Sequence, residues 1–366
     1  MNLKDAYLWL RTIDEVSDKV IETIEENGVN IEELFYLSDK EVRDLQNINS
    51  KTKENIVKYK SIEYLDDIKN ELQEKYIEYV CIKDENYPRN LKHIYNPPKI
   101  LFYKGDISIL NNDIGLAMVG SRKATDYGIS CTKSISKQLS DVGINIISGL
   151  AIGVDSYSHL GCISGNAKTI GVLASSVDNP LPKRNMKLSE KILEDGGLLL
   201  SEYLPKDRVY PSNFSNRNRI ISGISDGVIV VEAGEKSGAL ITVEYALEQG
   251  KNVFAVPGNI NSCMSKGCHK IIKEGAKLIE NIDDILHEYS INSIKYKKDS
   301  KKYDNIELNE QYMEVIEAIK YQGVLHIDEI CVNTRMEIKK VNSILNELVL
   351  KDLLVELRNK TYSLNI

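Results

Sequence analysis

The chain has 366 residues, of which 42% are hydrophobic and 28% charged, and this predicts a globular protein of two or three domains. It has no apolar run of about 18 residues and no signal-peptide pattern at its N-terminus, so we expect a cytoplasmic protein with no membrane contact. The net charge of −7 argues against a broadly basic, nucleic-acid-binding surface. Residues 115–280 are nevertheless net positive, and a local basic patch can bind phosphates because salt screens distant charges.

The first 75 residues have a helical pattern. Apolar residues recur there at helical spacing, glycine is nearly absent, and Ser38 with Glu41 three positions later indicates an N-cap. Residues 76–112 differ, because their three prolines interrupt helices. We expect this stretch to be an extended connector with short strands.

From Gly115 onward, short apolar runs alternate with helical patterns. The runs are GLAMVG, INIISG, KTIGVLA, GLLLSEY, GVIVVEA and NVFAVPG. Each is uninterrupted instead of alternating apolar with polar residues, as expected of strands that helices cover on both faces. The sequence therefore predicts an α/β fold with an open parallel sheet.

The C-terminal part begins with a polar, lysine-rich stretch that predicts a linker. Helical patterns follow, and then a plausible β-hairpin with Arg358, Asn359 and Lys360 at its turn. Helices followed by a short hairpin suggest a winged helix. The predicted domains are a helical domain (1–75), a central α/β domain (76–289), a linker (290–305) and a winged-helix-like domain (306–366).

Candidate binding loops follow three of the predicted strands. In an open parallel sheet, ligands bind at the carboxyl ends of the strands, against helix N-termini. Gly120, Ser121 and Arg122 follow the first run, Gly153 lies in the loop after the second, and Gly238 follows VIVVEA. Backbone N–H groups there suit an anion, and the Arg122 guanidinium suits a phosphate. None of these loops matches G-x-G-x-x-G or the P-loop, so we expect neither a dehydrogenase nor an ATPase, and no cofactor.

The segment FSNRNR places Phe214 beside Arg217 and Arg219. Single-stranded nucleic acid is bound by such groups, because a base stacks on the ring while guanidinium groups hold phosphates. The alternative is that Phe214 packs in the core and that the arginines pair with Glu202 or Glu232. A further basic pair follows the strand KTIGVLA, and its position at the same predicted edge favours binding.

Asp155 and His159 are four residues apart at the start of a predicted helix and suggest a catalytic pair. Ser148 or Ser156 would then be the nucleophile. The chain has no G-x-S-x-G elbow, and a carboxylate near a helix N-terminus has a structural explanation. We therefore favour a structural role for Asp155.

Cys263, Cys268 and His269 lie close together and resemble part of a zinc site. Such a site needs a fourth ligand and a second close pair, and the sequence offers neither. We expect reduced cysteines and no bound metal.

Several long motifs together resemble the DNA-processing protein A (DprA/Smf) family. In order, they are MVGSRKATDYG, ISGLAIGVDSYSHLG, LLLSEY, FSNRNRIISGISDGVIVVEAGEKSGALITVEYALEQGKNVFAVPG and GCHKIIKEGAKLI. The resemblance covers roughly residues 85–285. The flanking regions resemble the family's sterile-alpha-motif-like N-terminal and winged-helix C-terminal domains.

The resemblance implies a Rossmann-like central domain that binds single-stranded DNA, forms a homodimer and helps to load the RecA recombinase in natural transformation, without catalytic turnover. The implied DNA-binding residues are Gly120, Ser121, Arg122, Lys183, Phe214, Arg217, Asn218, Arg219 and Gly238. The implied dimer contacts are His269 and Leu278. For Ile271 and Ile279 in the same segment, we expect internal packing.

The chain departs from the family pattern in one loop. The family commonly has G-x-G-[LI]-D before the loop of Lys183, whereas this chain has residues 174–178, ASSVD, with Leu181 in place of the usual tyrosine. The family pattern therefore does not predict the shape of this loop.

Two other functions are compatible with the motifs. GEKSGALITVEYA resembles the glycine-rich turn and glutamate of nucleoside-monophosphate phosphoribohydrolases, in which Glu244 would be catalytic, although their P-G-G-x-G-T motif is absent. The second alternative is a recombinase adaptor without a DNA role of its own.

Overall fold

The computed structural model describes residues 1–290, 310–351 and 353–364. The N-terminal part is helical, as predicted, and Ser38 and Glu41 form a reciprocal capping box. Its helices are α1 (Leu3–Thr12), α2 (Asp18–Glu26), α3 (Ile31–Leu34), α4 (Asp39–Asp44), α5 (Ser50–Lys58) and α6 (Ile62–Glu74). They pack around the fully buried Trp9, whose indole N–H donates to the carbonyl of Tyr59.

A nine-stranded sheet forms the centre of the molecule, in the order β1-β2-β6-β5-β4-β3-β7-β8-β9. Its strands are β1 (Glu78–Cys81), β2 (Ile100–Gly105), β3 (Gly115–Val119), β4 (Asn145–Ser148), β5 (Thr169–Leu173), β6 (Leu198–Ser201), β7 (Gly227–Val230), β8 (Asn252–Ala255) and β9 (Lys277–Leu278). The strands from β3 onward pair in parallel, as predicted. The proline-containing connector supplies an antiparallel pair, β1 and β2, which extends the sheet beside β6.

Helices cover both faces of this sheet. They are α7 (Ile109–Asn112), α8 (Asp126–Asp141), α9 (Val154–Ile163), α10 (Met186–Glu194), α11 (Pro211–Ile224), α12 (Ala239–Glu248), α13 (Lys266–Lys273) and α14 (Asp283–Glu288). In β3, Leu116 and Met118 join a core with α8, α9 and α14. Ala117 and Val119, on the opposite face, join a core with α11, α12 and α13. This two-sided burial explains why the strand sequences are continuously apolar.

The strand order reverses between β3 and β7, which are neighbours although three strands separate them in the chain. Successive connections run outward from β3 to β6 on one side and from β7 to β9 on the other. A crevice forms where such connections diverge, at the carboxyl ends of the two central strands. The loops after β3 and β7 are therefore the first place to look for a ligand site.

The C-terminal part has the helices and the terminal strand pair that we predicted, together with a further strand, β10, and its assignment as a winged helix stays a prediction. It comprises α15 (Glu310–Gln322), β10 (Val324–His326), α16 (Ile327–Thr334), α17 (Ile338–Leu350), β11 (Leu354–Glu356) and β12 (Thr361–Leu364). The predicted hairpin turn at 358–360 joins the antiparallel strands β11 and β12. Beyond Ser290, the predicted linker lies outside the described residues, and the domain boundaries remain predictions.

Across the described ranges, no helix has the length and apolar character needed to cross a bilayer.

Candidate nucleic-acid interface

The loop after β3 is fixed by close contacts with its neighbours. A Cβ atom on Gly120 would lie 2.6 Å from Val154 Cγ2 and 2.8 Å from the carbonyl oxygen of Glu232, so only glycine fits. Ser121 is buried, and its backbone N–H donates to that same carbonyl over 2.6 Å. Its hydroxyl accepts a hydrogen bond from the Lys123 N–H. The loop is rigid, and Arg122 projects from it as an exposed side chain.

The loop after β4 packs directly on this turn. Gly153 has φ of 90°, and a Cβ atom there would lie 2.2 Å from the carbonyl oxygen of Ser121. Its backbone conformation and its contact both require glycine. The two loops therefore form one surface at the carboxyl edge of the sheet.

The N-terminus of α8 is already occupied by a carboxylate. Glu232 is 2% exposed, and its oxygens accept from the backbone N–H of Thr125 over 2.8 Å and from its hydroxyl over 2.6 Å. Thr125 in turn caps the N–H of Gly128. An internal anion thus fills the position that we predicted for a phosphate. A phosphate at this edge can instead meet the exposed Arg122 side chain.

Arg122 and Phe214 lie next to each other although 92 residues separate them in the chain. The guanidinium carbon of Arg122 lies 5.6 Å from the centre of the Phe214 ring, which is the geometry of a cation–π contact. Phe214 is half-buried in the first turn of α11. A partly exposed ring beside an exposed guanidinium group offers a surface for a base and a charge for a phosphate.

Arg217 lies inside the protein, 4% exposed, under the carboxyl ends of β4 and β5. Its Nη1 donates to the carbonyl oxygens of Gly149, over 2.8 Å, and Val172. Burial lowers its pKa to about 10, and the nearby Asp155 carboxylate partly offsets this. Arg217 therefore holds together the loops of the edge and has no exposed charge to offer DNA.

Arg219 is also buried, at 8% exposure, and forms an ion pair with Glu202. Their Nη2 and Oε2 atoms are 2.6 Å apart. This is the pairing that we named as the alternative to DNA contact. Two residues along a helix differ by about 200° in direction, so Arg217 and Arg219 leave α11 on different sides.

Asn218 and Gly238 join α11 to the start of α12. The side-chain amide of Asn218 lies 3.5 Å from the carbonyl oxygen of Gly238. Gly238 is exposed, has ordinary helical φ, and has no atom within 4 Å of where a Cβ would be. Neither backbone strain nor packing requires glycine there, and the open space is available to a ligand.

Lys183 and Arg184 are exposed in the turn that follows β5. Lys183 Nζ donates to Asn179 Oδ1. In the loop that departs from the family pattern, the hydroxyl of Ser175 donates to the carbonyl of Asn179 over 2.9 Å. The loop is therefore closed by its own hydrogen bonds.

Three exposed residues at the same edge were not predicted. Ile152 lies after β4 and is 40% exposed. Arg208 and Tyr210 lie between β6 and α11, and Tyr210 is 55% exposed. Their position between a strand and the helix that follows it was the available signal, because the carboxyl ends of parallel strands share one edge. Tyr210 precedes Phe214 by four residues and adds a second aromatic ring to this edge.

Asp155 and His159 do not form a catalytic pair. Asp155 Oδ2 accepts from the backbone N–H groups of Gly149 and Ala151, and burial raises its pKa. The hydroxyls of Ser148 and Ser156 donate to backbone carbonyls instead of to His159. This is the structural role that we favoured for Asp155.

His159 is completely buried and neutral. Its Nδ1 lies 2.6 Å from the hydroxyl of Thr169, which itself donates to the carbonyl of Ile146. The proton therefore sits on Nδ1, and Nε2 has no hydrogen-bond partner among the described residues. Burial, with the positive charge of Arg217, lowers the pKa of His159 from 6.5 to about 3.

This buried histidine predicts a pH-dependent stability. Between about pH 3 and 6.5, the unfolded chain binds a proton at His159 that the folded chain does not, so stability falls as the pH drops through this window. From pH 7.5 to 5, we expect a loss of about 2 kcal/mol from this group. Denaturant unfolding of wild type and His159→Leu at both pH values measures it. An equal pH dependence in the two proteins would show that His159 is not the source.

The cysteine-containing segment does not form a metal site in the described residues. Cys263 is exposed, Cys268 is buried with its pKa raised to about 11 by burial, and His269 Nε2 lies 3.0 Å from the carbonyl of Gly258. No group of three potential ligands occurs within the described ranges. The cysteines in those ranges are free thiols.

The far edge of the sheet is the predicted dimer surface. Leu278 is 41% exposed on the short edge strand β9, and Ile260, between β8 and α13, is 82% exposed. His269 is half-buried on α13. Ile271 and Ile279 are buried, as we expected.

Comparisons with known proteins place these features in context. A family model described as DNA recombination-mediator protein A matches residues 78–290. The DNA processing protein DprA of Bacillus subtilis is 41% identical over 224 residues, which are 61% of this chain and 75% of that protein. The DNA processing protein DprA of Streptococcus pneumoniae is 42% identical over 208 residues, or 57% of this chain and 73% of that protein.

Two solved structures are similar in fold. DNA processing protein A from Streptococcus pneumoniae matches with a TM-score of 0.68 and 33% identity, over 79% of this chain and 99% of that chain. A structure that addresses the single-stranded DNA binding mode of DNA processing protein A from Helicobacter pylori matches with a TM-score of 0.53 and 29% identity. It covers 59% of this chain and 97% of the Helicobacter chain.

Proposed function

The chain belongs to the DNA recombination-mediator protein A family, and from that premise we propose that it binds single-stranded DNA at the carboxyl edge of its sheet. The resemblance to the DprA/Smf family that its motifs indicated is thereby confirmed. The solved Helicobacter pylori relative, whose single-stranded DNA binding mode has been described, supports the choice of ligand.

The observation that carries this proposal is the contact between Arg122 and Phe214. A base can stack on the exposed part of the ring while the guanidinium group binds the adjoining phosphate. Such contacts address base faces and phosphates instead of base edges, so the protein should bind with little sequence preference.

Further exposed groups extend this surface in our proposal. Lys123 and Arg184 add positive charge, and Tyr210 adds an aromatic ring. Lys183 would turn from Asn179 to a phosphate when DNA binds. The exposed Gly238 leaves room for the strand to pass close to the start of α12.

The remaining residues of the predicted site support this surface from beneath. Gly120 and Ser121 set the turn from which Arg122 projects, and Asn218 joins α11 to α12. Arg217 and Arg219 are buried, so at this surface we assign them a positioning role instead of contact with the phosphates of the strand. The sequence motifs assign all these residues to one site. Only their burial in the structure distinguishes residues that support the surface from residues that can contact DNA.

Arg122→Ala should weaken binding to single-stranded DNA without unfolding the protein. A hydrogen bond to a charged group contributes roughly 1.5–3 kcal/mol, which corresponds to roughly a 10- to 150-fold loss of affinity. Fluorescence anisotropy with a labelled oligothymidylate measures this. The matched control is Arg89→Ala, which removes an exposed arginine next to Asn90, whose side chain contacts Asp226 at the amino end of β7.

If Arg122→Ala and wild type bind single-stranded DNA with equal affinity, the proposed site is in the wrong place. A protein that prefers duplex DNA over a single strand of the same length would contradict the choice of ligand.

Within recombination mediation, we propose that the protein helps to load RecA on incoming single-stranded DNA in natural transformation, in the cytoplasm. The family membership and the predicted DNA surface support this role. A RecA filament-assembly assay on strands coated with single-strand-binding protein tests it: the protein should accelerate assembly. An adaptor without a DNA role of its own would still accelerate assembly after Arg122→Ala, whereas we expect that variant to be impaired.

We also propose that the protein acts without turnover. The phosphoribohydrolase alternative would need Glu244 in a substrate cleft, and this side chain is exposed on α12. Incubation with nucleoside monophosphates tests the alternative directly, because release of free base would establish an enzyme.

Finally, we propose a homodimer through the edge formed by β9 and α13, with His269 and Leu278 facing the partner. An exposed apolar side chain on an edge strand favours pairing with a second copy. A symmetric dimer would carry two DNA surfaces on one particle.

A further inference from the structure

A cavity of about 790 Å³, lined by charged side chains among others, lies where the N-terminal helices meet the central domain. Its walls come from α1 and α2, from the segment before β2, from the loop after β6, and from α11 and α12. Its size is that of small-molecule sites in proteins. We call it the seam cavity, and the proposed DNA surface does not account for it.

Two residues in its wall each leave one polar atom without a hydrogen-bond partner among the described residues. Arg219 donates through Nη2 to Glu202, but its Nη1 has no partner. Gln249 donates through Nε2 to the carbonyl of Arg219 over 3.2 Å, but its Oε1 has no partner. Both side chains are thus anchored at one end, and Arg219 is only 8% exposed. A buried polar group without a partner is unfavourable. Both atoms have almost no accessible surface as the side chains stand, so an occupant would supply the missing partners after a small rotation of these side chains toward the cavity.

The missing partners define the chemistry of the occupant. Arg219 needs an acceptor and Gln249 needs a donor, which the edge of a nucleobase offers side by side. Tyr203 and Tyr245 also line the cavity. Aromatic side chains in such a position are suited to stacking against a base.

The charges of the cavity agree with a neutral ring. Arg11 and Lys19 are balanced there by Asp18 and Glu248, and Arg219 by Glu202. A site for a phosphate alone would have an excess of positive charge.

We propose that the seam cavity binds one nucleobase, held by Arg219 and Gln249 between tyrosine side chains. The base can come from a bound DNA strand, because α11 carries Phe214 as well as Arg219, or from a free nucleotide. The inference extends the proposed function but does not depend on it.

The first experiment uses the four 2′-deoxynucleosides, which have no phosphate to engage the DNA surface. Saturation-transfer NMR on the full-length protein should detect binding, at least tenfold weaker in Gln249→Met, which keeps the chain length but removes the acceptor. Tyr245→Leu, a second variant, should also weaken it through loss of the ring. Arg122→Ala should retain nucleoside binding while losing oligonucleotide binding, which separates this site from the DNA surface.

The second experiment identifies the source of the base. An oligothymidylate containing 4-thiothymidine is irradiated with the protein, and the labelled peptides are mapped by mass spectrometry. A cross-link within α12 near Tyr245 that Gln249→Met removes supports a base from the bound strand. Nucleoside binding without this cross-link supports a free nucleotide.

The proposal is overturned if neither Gln249→Met nor Tyr245→Leu changes nucleoside binding or the cross-link. It is equally overturned if wild type binds no deoxynucleoside and gives no cross-link in α12. Thermal denaturation of both variants confirms that they are folded. If oligothymidylate still binds in these cases, and binding still depends on Arg122, the proposed DNA surface is unaffected.

Discussion

Replacement of Arg217 by leucine should lower the free energy of unfolding by about 3–5 kcal/mol, although the residue lies in a segment that resembles a DNA-binding motif. The side chain is 4% exposed and bonds the carbonyls of Gly149 and Val172. Its removal takes a charged donor away from two buried carbonyls and deprives the buried Asp155 of the larger of its two positive neighbours. Urea unfolding, with the midpoint and slope fitted separately, measures the change.

Arg89→Leu is the matched control for this prediction, because it removes an exposed arginine and should change stability by less than about 0.5 kcal/mol. A folded Arg217→Leu protein with wild-type stability and weakened DNA binding would show that Arg217 contacts DNA. That result would reverse the positioning role that its burial indicates.

Leu278→Arg should convert a wild-type dimer into a folded monomer. Light scattering should give the wild type twice the chain mass of 41.4 kDa and the variant once that mass. A charge on each of two symmetry-related edge strands would face its own copy across the interface. Because two linked DNA surfaces bind one long strand together, loss of the dimer should weaken binding to long strands by roughly 100-fold.

Binding to an oligonucleotide that spans one surface should barely change in the same variant. Leu247→Arg offers the control, since Leu247 is also exposed but lies on α12, away from the proposed interface. A monomeric wild type, or a Leu278→Arg variant that stays dimeric, would remove this interface from the account.

The central fold was predictable from the sequence because a strand that is buried on both faces has a continuously apolar sequence. GLAMVG, INIISG and KTIGVLA all became parallel strands. Strand order was not predictable, since no local pattern states that β3 lies beside β7. The antiparallel pairing of β2 with β6 was not predictable either, because the apolar sequence of a buried strand does not indicate the direction of its neighbour.

The residues of the site were predictable from the sequence, but which of them are exposed to a ligand and which are buried beneath it was not. Arg122 and Phe214 were named from separate motifs, and the structure brings them into contact. Helical spacing places Arg217 and Arg219 on different sides of α11, but nothing local to the sequence indicates that both sides are covered. Glu232 illustrates the same limit, because its role as the partner of Thr125 depends on a contact over 107 residues.

The dependence of single-stranded DNA affinity on salt, measured for wild type and Arg122→Ala, tests the central claim most directly. For single strands, the log–log slope is about −0.7 per phosphate neutralised. We predict a steep loss of wild-type affinity between about 50 and 200 mM salt, and a slope that is shallower by about 0.7 in Arg122→Ala. A wild-type affinity that does not change with salt, or an identical slope in the variant, would contradict a phosphate contact at Arg122.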